Sequence, residues 1–163
     1  MSAIIDHREA PMKKHFSFAP LMLLVLPLLF AQSTSLKQFK HWDPEEGAWM
    51  EDADAPGTYS KTVTGSAASG NWIMYVKFNP GARVTWHWHR NLQTMYMVSG
   101  TMKYEVKPNP EMTLRPGSYV IVPARALHNG TCVSKEPCTF FIENLQPNDR
   151  HMTDANGKEL SRP

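Results

Sequence analysis

His87 and His89 stand two residues apart in Arg83–His89 (RVTWHWH), a run whose alternation predicts a β-strand. Side chains two apart on a strand share a face, so both imidazoles project one way and Trp86 and Trp88 the other. Gln93 follows after the polar bend Arg90-Asn91-Leu92; a chain that folds back there sets Gln93 opposite the histidines. His128, after Pro123-Ala124-Arg125, offers a third imidazole from a neighbouring strand. Three imidazoles and one amide oxygen are a donor set for one divalent transition metal of borderline character: Fe, Mn, Ni, Cu or Zn. Taken alone, a His-x-His pair is more often a surface or hydrogen-bonded pair. Met95 and Met97 alternate with Gln93 and either line a thioether-rich pocket wall or simply pack the core. Arg125 is placed to meet an anionic substrate, or is a solvated loop residue. Between residues 72 and 144 the acidic side chains are Glu105, Glu111, Glu136 and Glu143, with no paired-carboxylate or Ser-His-Asp pattern. Any catalysis here therefore falls mainly to a metal.

The elements that must position these residues are short. Trp72–Phe78, Thr94–Ser99, Thr101–Val106, Ser118–Val122, Leu127–Cys132 and Thr139–Asn144 are rich in β-branched and aromatic residues. Turn signals separate them: Asn79-Pro80-Gly81, Ser99-Gly100, Pro108-Asn109-Pro110 and Arg115-Pro116-Gly117. No stretch from 71 to 145 sustains a helical period, so the expectation is all-β, a sandwich or small barrel. Residues 34–71 are polar and turn-rich and are expected to form an irregular N-terminal arm with an edge strand near Thr58–Thr64. Trp42 and Trp49 in this arm are candidates to cover a barrel face. Residues 145–163 are polar and are expected to form a loose C-terminal tail.

Gly81, His87, His89, Gln93 and Gly100 fall at the spacings of the first cupin motif, G-x5-H-x-H-x3,4-E-x6-G, with Gln in the Glu position. Gly117, Pro123 and His128 fit the second, G-x5-P-x-G-x2-H-x3-N, where Arg125 replaces Gly and Cys132 replaces Asn. Residues 72–144 thus resemble a compact single-domain cupin. The resemblance implies a cupin-type double-stranded β-helix, a conical antiparallel barrel or jelly roll, with the metal near its axis and a mouth for a small-molecule ligand. It implies His87, His89, Gln93 and His128 as metal ligands, and a homodimer. A neutral amide in place of a carboxylate leaves the metal and its ligands one unit more positive. That change either sharpens the ion's Lewis acidity or weakens its hold. For function, the resemblance favours a dioxygenase-type oxidoreductase acting on a small organic molecule. A non-catalytic ligand- or metal-binding protein and a metal-dependent isomerase or decarboxylase are the alternatives.

Phe16–Ala31 (FSFAPLMLLVLPLLFA) is apolar, follows Lys13 and Lys14 and precedes Gln32-Ser33-Thr34-Ser35, the layout of a secretory signal peptide. We expect residues 1–33 to be that signal, with Met12 as an alternative start and the mature protein secreted or periplasmic. At about 16 residues, with Pro20 and Pro27 inside, the run is short for a membrane span, which needs roughly 20. An uncleaved anchor and a buried helix are the competing readings. Cys132 and Cys138 flank Val-Ser-Lys-Glu-Pro; in an oxidising compartment they would pair across a hairpin base, and in a reducing one they would be free thiols. The whole chain carries 17 basic and 15 acidic side chains in its 163 residues. Without residues 1–31 these become 14 and 13, a net of +1, so the pI near 8.6 is no argument for a nucleic-acid partner.

Overall fold

A computed structural model describes residues 40–161; the apolar segment and its expected cleavage position lie outside them. Among the described residues every regular element is a strand. In chain order these are β1 (Met50–Glu51), β2 (Thr58–Ser66), β3 (Gly70–Phe78), β4 (Arg83–Trp88), β5 (Gln93–Ser99), β6 (Met102–Val106), β7 (Met112–Leu114), β8 (Tyr119–Val122), β9 (His128–Cys132), β10 (Cys138–Asn144) and β11 (His151–Met152). They form two antiparallel sheets, ordered β1-β2-β3-β10-β5-β8 and β11-β4-β9-β6-β7. The core draws on both. Val76, Phe78, Met95, Met97 and Phe140 come from the first sheet, and Met102, Tyr104, Val106 and Cys132 from the second. Alternation along each strand is what selects them, as in β5, where Gln93, Met95 and Met97 are buried and Tyr96 and Val98 exposed.

Two expectations are corrected. Within the described part of the segment over 34–71, residues 40–71, the chain is not an irregular arm ending in an edge strand. β2 runs for nine residues and is an interior strand, because β1 hydrogen-bonds to its outer side and β3 to its inner side. The described part of the segment over 145–163 is not loose either: β11 pairs with β4, setting His151 against Trp88 and Met152 against His87. The residues before β2 are docked by side chains. Lys61 is buried, and its ammonium donates to the carbonyls of Pro44 (2.8 Å) and Glu46 (3.0 Å) while lying 4.7 Å above the Trp49 ring. Those partners make burial of the charge tolerable. Trp42 and Trp49 pack on Tyr75, at 5.3 and 5.7 Å between ring centroids, and so cover the outer face of the six-stranded sheet.

Cys132 and Cys138 are joined as a disulfide between β9 and β10, linking the two sheets. Gly100, which starts the turn into β6, has φ of +76°, and a Cβ there would lie 2.7 Å from the Cys138 Cα. Both the left-handed backbone and the close approach exclude a side chain. The bridge closes a short loop, with a sequence separation of 6, for which chain entropy gives about 2–3 kcal/mol. The Cys132→Ser/Cys138→Ser protein is expected to unfold in urea with that much stability lost, and reductant should shift the wild-type midpoint the same way while leaving the variant unmoved.

Candidate metal centre

The metal-site residues converge because of register. His87 on β4 and His128 on β9 are direct partners across the five-stranded sheet, with ring centroids 4.0 Å apart. His89, just past the end of β4, turns to the same side and lies 5.2 Å from the His87 ring and 5.5 Å from the His128 ring. All three are buried, and one ligand nitrogen from each lies within 4.8 Å of the others. Trp88 takes the opposite side, stacked at 3.9 Å on His151, and Trp86 lies beneath the Lys107 ammonium.

The rings fit a metal. Nδ1 of His87 is 2.8 Å from the Thr85 carbonyl and Nδ1 of His128 is 2.8 Å from the Ala126 carbonyl, so these nitrogens donate and the Nε2 atoms are left as lone-pair donors. Among the described residues, Nε2 of His128 is buried with no hydrogen-bond partner, an arrangement that costs free energy unless an ion or polar group fills it. Burial disfavours the imidazolium at all three positions. It holds His87 well below the ordinary histidine range, with the neighbouring His128 charge adding to the effect. It brings His89 down to about 4, against a partial upward pull from Asp149, and lowers His128 against the opposing Ala126 hydrogen bond. The rings are therefore neutral near pH 7, as a metal ligand must be.

Around them lies a cavity of about 120 Å³. Gln93, at the start of β5, is buried in its wall together with Met95, Met102, Tyr104, Trp72 and Phe140. The remaining sequence candidates fall elsewhere. Met97 stands two residues beyond Met95, past the cavity, and is wholly enclosed in the core. Arg125 is exposed with its guanidinium 5.3 Å over the outward-facing Trp88 ring, because its amide is tied to the His89 carbonyl at 2.7 Å in a turn that directs the side chain to the surface. Its φ of +63° is the left-handed conformation that the motif's glycine would adopt without strain.

The cavity also draws on residues that strand patterning did not select. Asp52 and Arg150 complete its wall from opposite ends of the chain, joined by paired hydrogen bonds of 2.5 and 2.7 Å, with Asp54 at 3.2 Å. Burial pushes the Asp52 carboxyl up, but the Arg150 hydrogen bonds and charge and the Asp54 amide outweigh it, and the group ends below the usual range. The one available sequence cue was charge, an acidic cluster at 45–54 and an arginine in a polar tail. Asp52→Ala leaves Arg150 short of its bidentate partner in a largely buried position. We expect about 2 kcal/mol of stability to be lost, with Asp52→Asn losing less, as read from denaturant midpoints.

Two antiparallel sheets with three clustered, buried histidines lining the cavity are the arrangement of the cupin class. The chain belongs to the ChrR cupin-like domain family, whose model matches residues 37–148. Solved structures carry the same fold. KdgF from Halomonas sp. is 23% identical over 67% of this chain and 96% of its own, with a TM-score of 0.57. The polyketide cyclase RemF from Streptomyces resistomycificus is 13% identical over 69% of this chain and 84% of its own, with a TM-score of 0.60. An RmlC-like cupin from Shewanella frigidimarina is 22% identical over 68% and 93%, at 0.55. No curated protein sequence matches the chain significantly.

Proposed function

We propose that this protein is an exported, metal-dependent cupin that oxidises a small organic molecule in a dioxygenase-type reaction. The observation that carries the proposal is the donor set: three clustered, buried imidazoles with Gln93 in the wall of the same mostly apolar cavity. His87, His89, His128 and Gln93 would hold one Fe, Mn, Ni, Cu or Zn ion. Such an ion supplies Lewis acidity and, when redox-active, electron transfer to oxygen. The chain's own contribution is positioning and exclusion. Trp72, Phe140 and the Met95 and Met102 thioethers offer an apolar bed for the organic part of a ligand. A cavity of this size admits about one small ring or a short chain. Asp52 is the acidic side chain in the described cavity wall, and it is engaged by Arg150, which removes it as a ready general base. The Cys132–Cys138 bridge supports export, since such bonds persist in oxidising compartments.

The test is oxygen uptake by protein loaded in turn with each of the five metals, on catechol-like, β-diketone and flavonoid substrates. Uptake dependent on one metal and abolished in His87→Ala is the expected result. A metal-loaded protein that consumes no oxygen but eliminates or decarboxylates a small acid would replace the oxidative assignment. Tight metal binding without any turnover would leave a binding protein.

A further inference from the structure

The three imidazoles are not supported alike. His87 and His128 lean on backbone carbonyls, whereas Nδ1 of His89 is buried with no hydrogen bond to any described residue. What faces it is the carboxylate of Asp149, with Oδ1 at 3.8 Å. That carboxylate is held in place from other directions. The Arg90 amide donates to both of its oxygens at 3.2 and 3.1 Å, and Arg90 Nε and His151 Nε2 lie 3.4 and 3.6 Å from Oδ2. Oδ2 thus carries the Arg90 Nε and His151 contacts, while Oδ1, which shares only the Arg90 amide, is turned to His89. The His89 backbone is fixed independently, by its carbonyl accepting the Arg125 amide, so the main freedom left in this ligand is the tilt of its ring.

We propose that Asp149 is the positioning residue of the metal site, accepting the Nδ1–H of His89 and supplying, one layer beyond the ligands, the negative charge that Gln93 lacks. This rests on the metal reading above. Closing the gap from 3.8 Å to a charge-assisted hydrogen bond needs a ring tilt or carboxylate shift of about 1 Å. A carboxylate behind a ligating histidine fixes its tautomer and raises its basicity, and losing such a partner typically weakens metal binding about 10–100-fold. Because the ligand set itself is neutral, with Gln93 where a carboxylate would stand, an anion behind His89 compensates part of the ion's charge. It also makes the segment after β10 part of the metal site, although that segment contributes no ligand.

The experiment measures dissociation constants for Zn²⁺ and Ni²⁺ by chelator competition in wild type, Asp149→Asn, Gln93→Glu and the double variant. Asn keeps an acceptor for the Arg90 amide but removes the charge. We expect Asp149→Asn to bind about 10–100-fold more weakly and the added Gln93→Glu to recover most of that loss. Binding by Asp149→Asn within twofold of wild type overturns the proposal, as does a loss that Gln93→Glu fails to recover. The ¹⁵N shifts of the His89 ring in zinc-loaded wild type test the contact without any variant: a protonated Nδ1 supports it, an unprotonated one overturns it. A wild type that takes up neither ion fails the metal reading itself, before any variant is compared.

Discussion

His128→Ala is expected to bind metal more than about 100-fold more weakly than wild type, a larger effect than loss of an outer partner produces. His128 is 1% exposed, its Nδ1 is committed to the Ala126 carbonyl, and its Nε2 has no hydrogen-bond partner among the described residues. Removing the ring takes away one of the three nitrogen donors clustered among the described residues. Metal analysis after dialysis against each of Fe, Mn, Ni, Cu and Zn should show about one ion per wild-type chain and nearly none in the variant. The thermal shift on adding metal should disappear with it, since free ion at 100 times its dissociation constant stabilises a folded protein by about 2.7 kcal/mol. His41→Ala, at an exposed position far along the chain from the motif, is the control and should match wild type. Should the wild type show neither uptake nor a shift with any of the five ions, the centre is not a metal site.

The metal-free protein should lose stability steeply as pH falls from about 6.5 to 4. In the unfolded chain the three imidazoles take up protons near 6.5. In the folded one, burial holds His89 unprotonated down to about 4 and displaces His87 and His128 in the same direction. Between those limits the unfolded state binds more protons, so stability rises with pH; it is complete above about 6.5 and lost on acidification. The Asp149 charge opposes the depression at His89, while His128, Arg150 and His151 reinforce it. For His89 alone the displacement corresponds to about 3 kcal/mol, with the other two adding to it. Asp52 adds a separate loss at lower pH. Its folded value is depressed, so its contribution is present above the ordinary carboxylate range and disappears as pH falls through the folded value. Urea midpoints of chelator-treated protein from pH 7.5 to 4.5 measure the histidine effect. A flat profile over that range would mean the three rings are not buried in the neutral form.

Much of this molecule is written locally. Strand boundaries observed for β3 to β6 and β8 to β10 lie within about two residues of those read from composition and turn signals. β7 escaped because Met112–Leu114 is only three residues long and carries too little alternation to register. The departures from the family motif also acquire reasons. Cys132, in place of Asn, forms the bridge to Cys138, and Arg125, in place of Gly, still takes the left-handed backbone. Met97 shows where patterning stops. Its alternation with Gln93 and Met95 correctly puts it on the inward face, but a face does not say how deep along the strand the cavity extends.

The sequence by itself determined strands β3 to β6 and β8 to β10 and the side from which His87 and His89 project, because strand period and turn chemistry act over a few neighbouring residues. Only the tertiary structure decided that His87 and His128 are cross-strand partners, that β2 lies inside its sheet, and that Asp52 meets Arg150. Only it set Asp149 behind His89. The Asp52–Arg150 pair spans 98 residues, and Asp149 is hydrogen-bonded to the Arg90 amide across 59. Contacts at such separations leave no periodic trace in the chain. They follow from which sheet edges and cavity walls remain to be covered once the barrel has closed, and here two polar end segments of the described chain cover them.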